Sequence, residues 1–218
     1  MKKKTLTLIS GIVCWLLFRI FLVGVIQNAH WINQVDRFGY QLTQPTSHLK
    51  TQIMIALTYF GDPIIIQVLT IFLALYLWWQ DRFNESLWYV LLQFIGYSLV
   101  ILTKYNVLRA RPSNKLFPAN SYSFPSGHTF ATAIFVFTLL AVILPYLHFQ
   151  GARIGVTIIF FLWIIIIMVT RVYLRDHFTS DVIGGLLLAS GWWLITTTFR
   201  HQLSQWLIKP ITRIQRRN

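Results

Sequence analysis

Apolar and polar positions fall along this chain in long blocks, not in single alternating residues. Apolar runs of bilayer-spanning length are separated by short polar connections. They predict six transmembrane helices, over residues 5–26, 63–80, 86–104, 126–147, 154–173 and 180–199. Residues 51–60 are apolar but too short to cross, which predicts an interfacial or re-entrant helix. Residues 27–50 read as a polar, aromatic connection. Asp62-Pro63 is a strong helix start, with a carboxylate cap followed by proline at the first helical position. The loop 106–125 is rich in proline, asparagine and serine. A basic amphipathic tail ends the sequence. The expected fold is therefore an all-α integral membrane protein of six spans plus one short helix, forming a single domain over residues 1–218.

Composition agrees with that pattern. The 218 residues are 56% hydrophobic and 11% charged, and the mean hydropathy is +0.58. Soluble domains carry about 25% charged residues, so a soluble fold is excluded. The net charge of +13 would suggest nucleic acid in a soluble protein. Here much of it flanks apolar segments, at Lys2-Lys3-Lys4 and from Arg200 onward, where such clusters set topology and touch anionic headgroups. Cys14 is the one cysteine and permits no intrachain disulfide. The first apolar run is too long for a signal-peptide core and has no small-residue cleavage site, so it reads as a retained span.

Lysine and arginine in the connections indicate orientation. With the N-terminus inside, ten fall on the cytoplasmic side and eight outside. Three of the outer eight, Lys104, Arg111 and Arg171, have a chemical reason to be there. Ten against five favours both termini inside a plasma membrane. Alternating spans then carry the end of the third, the start of the fourth and the junction of the fifth and sixth to one membrane face, the outer one.

Those helix ends hold the residues that carry chemistry. Lys104, Arg111 and Arg171 suit a phosphate group: guanidinium groups hold two oxygens at once, and lysine supplies a point charge. Ser126 and the amides of Gly127 and His128 open a helix, where free N–H groups and the helix dipole favour an anion. Any one of these cations alone would be read as an interfacial snorkeller; the set would not. His177 and Asp181 stand four apart, on one face of a helix. Asp181 can accept the Nδ1 proton and leave Nε2 free to attack phosphorus. His128 then supplies general acid and base, a role worth about 10²–10⁴-fold. Two histidines and an aspartate also resemble a metal site, but the surrounding cations repel a divalent ion and already neutralise phosphate. No metal and no cofactor is expected.

The three stretches Lys104-x6-Arg111-Pro112, Pro125-Ser126-Gly127-His128 and Thr170-Arg171-x5-His177-x3-Asp181 resemble the signature motifs of the type 2 phosphatidic acid phosphatase superfamily. That superfamily includes bacterial phosphatidylglycerophosphatase B-like and undecaprenyl pyrophosphate phosphatases. Thr170 departs from the usual serine but keeps a hydroxyl. The resemblance implies metal-independent lipid phosphate hydrolysis, with His177 as nucleophile, His128 as acid and base, and Asp181 orienting His177. Lys104, Arg111, Ser126, Gly127 and Arg171 would bind phosphate. The implied partners are a lipid phosphate substrate and the bilayer, with no nucleic acid.

Two other classes compete. A non-catalytic binder or transporter of anionic lipids would use the same cations but has no need of an aligned nucleophile and acid. A vanadate-dependent haloperoxidase shares the motif pattern, and membrane embedding counts against it. Arg19, deep in the first span, is a candidate by default. Asp62 reads as a helix cap. Arg109 and Lys115 read either as loop charges or as an extension of the headgroup site. Arg175 and Asp176 flank His177 and could tune it. Gly184-Gly185 reads as close helix packing.

Overall fold

A computed structural model describes residues 2–118 and 121–207. The helices are α1 (Lys2–Ile26), α2 (His30–Leu42), α3 (His48–Tyr59), α4 (Pro63–Trp79), α5 (Phe83–Val107), α6 (Gly127–Ile143), α7 (Gln150–Tyr173), α8 (Thr179–Thr198) and α9 (Arg200–Leu207). A 3₁₀ turn, Leu144–Tyr146, follows α6. No strand occurs among the described residues. Most of the basic tail lies outside them.

Among the described residues five segments are long and apolar enough to cross a membrane, where six were expected: Lys4–Ile26, His48–Trp79, Phe83–Val107, Gly127–Tyr146 and Gln150–Tyr173. The expected sixth, α8, has the length but less apolar character. Its position explains this. α8 packs against α1, α2, α5, α6 and α7, so many of its side chains meet protein instead of lipid, and small residues serve it better than large apolar ones. A Cβ on Gly185 would lie 2.6 Å from the Ser126 carbonyl, and one on Gly184 would lie 2.6 Å from the Phe124 ring. Gly185→Ala presses on backbone that cannot yield, so we expect a loss of about 1–3 kcal/mol and reduced activity. Unfolding in detergent checks it, with Gly155→Ala, where added bulk meets nothing, as the control.

The short helix expected over residues 51–60 is α3. It and α4 follow each other across a break at Phe60, Gly61 and Asp62, and together form the apolar stretch His48–Trp79 of 32 residues. α4 begins where Asp62-Pro63 predicts: the Asp62 carboxylate accepts from the Ile64 amide at 2.8 Å. α3 docks along the end of α7. The Thr51 hydroxyl sits 3.1 Å from the Tyr173 hydroxyl, and the Trp163 indole donates to the Phe60 carbonyl at 3.2 Å. α6 is the most enclosed of the candidate spans and α7 the least.

The connection expected over residues 27–50 contains an unforeseen helix, α2. Ile32, Asp36 and Gly39 form its buried stripe, and it packs on α8, with further contacts to α1 and α7. The i, i+4, i+7 spacing of that stripe is the signal, obscured because its centre is an aspartate.

Candidate active site

The end of α5, the loop after it, the start of α6 and the α7–α8 junction meet at one end of the bundle. Lys104 lies in the last turn of α5 and is buried. Its Nζ donates to the carbonyls of Tyr122 at 2.5 Å and Ser123 at 3.3 Å. Arg111 reaches from the loop to the junction, where it donates to the Asp176 carbonyl at 2.7 Å and pairs with the Asp176 carboxylate at 2.6 Å. Arg171, in the last turn of α7, pairs with the same carboxylate and donates to the Thr58 hydroxyl at 2.8 Å. Asp176 is fully buried and thus holds two of the three cations in place.

His177 is 2% exposed. Its Nδ1 lies 3.3 Å from Asp181 Oδ2, and its Nε2 lies 3.3 Å from Arg111 Nη1. A guanidinium can only donate, so Nε2 accepts from Arg111 and the ring proton sits on Nδ1, toward Asp181. The same carboxylate oxygen accepts from the Phe178 amide at 2.8 Å. His128, on the first turn of α6, is within electrostatic range of His177, Arg171, Arg111 and Lys104. Its Nε2 lies 3.8 Å from Asp62 Oδ2, so Asp62 both caps α4 and faces a histidine.

Ser126 is wholly buried. Its hydroxyl caps α6, accepting from the Thr129 amide at 3.4 Å and hydroxyl at 3.1 Å, while its own amide donates to the Asp181 carbonyl at 3.0 Å. It thereby ties the first turn of α6 to the first turn of α8. Gly127 packs against Tyr97, whose hydroxyl would sit 3.0 Å from any Cβ there.

Arg109 is not a loop charge. It bridges Asp181 and Asp36, each at 2.6 Å. Asp36 and Thr58 carry no local sequence signal, because their partners are more than sixty residues distant, and the same holds for the pairing of Asp176 with Arg111. Arg19 is exposed on α1. Among the described residues no three His, Cys, Asp or Glu side chains gather into a group that could hold a metal ion.

Burial, followed by the charges of Lys104, Arg111 and Arg171, pushes His177 well below the ordinary histidine range, against the opposing pull of the Ser123 carbonyl. The folded protein therefore keeps this ring neutral where an unfolded chain would protonate it. Below about pH 6.5 the unfolded state binds the extra proton. The group thus costs stability as pH falls through that value and costs nothing above it. We expect histidine NMR in detergent, assigned with His177→Ala, to show His177 neutral and Nδ1-protonated at about pH 6. A midpoint at or above about pH 6.5 contradicts this.

An all-helical membrane fold whose helix ends converge on two histidines, a buried aspartate and three cations defines a narrow class of protein. The chain belongs to the PAP2 superfamily, whose sequence profile matches residues 87–205, more than half of its length. Its fold is similar to the crystal structure of a transmembrane PAP2-type phosphatidylglycerolphosphate phosphatase from Bacillus subtilis. The two share 21% sequence identity at a TM-score of 0.69, over 88% of this chain and 96% of that one. Curated proteins give no match.

Proposed function

We propose that this chain is a metal-independent lipid phosphatase of the membrane, hydrolysing phosphatidylglycerophosphate, undecaprenyl pyrophosphate or phosphatidic acid through a phosphohistidine. The observation that carries the reading is the setting of His177: buried, backed by Asp181 through Nδ1, with Nε2 turned toward the Arg111 guanidinium. A lone pair aimed at a phosphate-binding cation is what in-line attack on phosphorus requires.

In this reading Lys104, Arg111 and Arg171 hold the phosphoryl oxygens with Ser126, Gly127 and the start of α6, and stabilise the charge that develops on them. Nε2 of His177 attacks, the P–O bond to the lipid breaks, and His128 gives its proton to the leaving oxygen. His128 then takes a proton from water as it displaces phosphate from His177. Asp62 Oδ2 faces the His128 ring at 3.8 Å. The chain acts as one domain, with both termini in the cytoplasm and the site on the outer face of the plasma membrane, in line with the lysine and arginine distribution.

The test is phosphate release by purified protein in detergent over glycerophospholipid and polyprenyl substrates, with His177→Ala as blank and EDTA added. Turnover of at least one lipid, unchanged by EDTA, is expected. Binding of these lipids without turnover favours the binder; activity lost to EDTA and restored by a divalent ion contradicts the metal-free mechanism.

A further inference from the structure

We infer that Arg109, held by Asp36 of α2, is a positioning residue for the proposed nucleophile, acting through Asp181; the inference rests on the phosphatase reading above. Asp181 is fully buried. A buried carboxylate stays ionised only with a counter-charge and its lone pairs satisfied. Its two oxygens divide the work. Oδ2 takes His177 Nδ1 and the Phe178 amide, while Oδ1 takes Arg109 Nη1 at 2.6 Å. The same Nη1 lies 2.7 Å from the Ser180 hydroxyl.

Arg109 is itself fixed on three sides. Its Nη2 donates to Asp36 Oδ2 at 2.6 Å. The Phe178 ring lies beneath the guanidinium, 4.2 Å from centroid to Cζ. Leu108, at φ 54°, turns the chain out of α5 just before it. Asp36 is fixed in turn, since its Oδ1 accepts from the Ser180 amide at 2.8 Å. A chain of charges thus runs from α2 through the loop to the first turn of α8 and ends on the histidine ring. The charged or titratable groups acting on Asp181 are Arg109, His177, Lys104 and Arg111, with Asp36 reaching it through Arg109. Asp36 lies outside residues 87–205, the region matched to the superfamily, so this chain completes the carboxylate's support from an element of its own N-terminal part.

Without Arg109 the buried carboxylate takes a proton more readily and ceases to accept from Nδ1, so His177 loses both tautomer and orientation. Arg109→Gln is expected to lower kcat about 10–100-fold with little change in KM. The deficit should be largest at low pH, because the acid limb moves upward. Arg109→Lys should recover part of the loss. Asp36→Asn should lose less in the same sense, and the double variant should be no worse than Arg109→Gln. In histidine NMR, Arg109→Gln should lose the Nδ1-protonated form of His177. Wild-type kcat, pH profile and ring tautomer in Arg109→Gln would overturn the inference. If that variant does not fold, the same wild-type behaviour in Arg109→Lys and Asp36→Asn overturns it. A wild-type protein that releases no phosphate while the tautomer still depends on Arg109 defeats the functional reading and leaves only the coupling of Arg109 to the His177 ring through Asp181.

Discussion

Replacing His177 with alanine is expected to lower phosphate release by about 10⁴-fold or more, with KM little changed. The asymmetry follows from the division of labour at the site. In the proposed mechanism, affinity for a phosphorylated headgroup comes from Lys104, Arg111 and Arg171, which Asp176 and the loop carbonyls hold in place without the imidazole. The chemical step needs Nε2. Without it, a water molecule must attack from the same position with no group to activate it. The fold should survive, because Asp181 keeps Arg109 and the Phe178 amide as partners. Initial rates on the preferred lipid, with size exclusion to confirm the folded state, check this. A variant within tenfold of wild type at equal KM would remove His177 from the mechanism.

Asp176→Asn is expected to cost about 3–5 kcal/mol of stability. The side chain is fully buried and its carboxylate pairs with both Arg111 and Arg171. Asparagine keeps the shape but removes the charge, so two guanidinium groups face each other near Lys104 with nothing between them. Such uncompensated buried charge is among the most costly single changes a fold can carry. Activity should also fall, because Arg111 and Arg171 lose their common anchor. Titration with SDS in mixed micelles measures the change, and a shift worth under about 1 kcal/mol would show that solvent or lipid already neutralises these cations.

Much of the site was visible in the sequence because helix ends are periodic landmarks. Once apolar runs are taken as spans, Lys104, His128, Arg171, His177 and Asp181 fall at ends that alternation carries to one face, and the structure brings them together at one end of the bundle. What stayed hidden depends on contacts between elements. α2 mixes aromatic, amide and charged residues, and its buried stripe carries Asp36 where an apolar residue would have announced a helix. Thr58 looks like any hydroxyl in an apolar run until Arg171 is seen against it. Asp176 reads as a neighbour of His177, whereas its partners come from the loop and from α7. α8 fails the test of apolarity because it lies inside the bundle, where glycine allows close approach and lipid-facing bulk is not needed.

In the proposed reaction phosphate passes through the His177 ring. The decisive test is to mix a ³²P-labelled phosphoryl donor with a good leaving group, which needs no general acid to depart, with His128→Ala protein, quench in alkali, and map the label. A covalent phosphate on the peptide containing His177, stable to base, released by acid and missing when His177 is also alanine, is the predicted result. Label on any other residue, or inversion of configuration at phosphorus in the wild-type reaction, would contradict it.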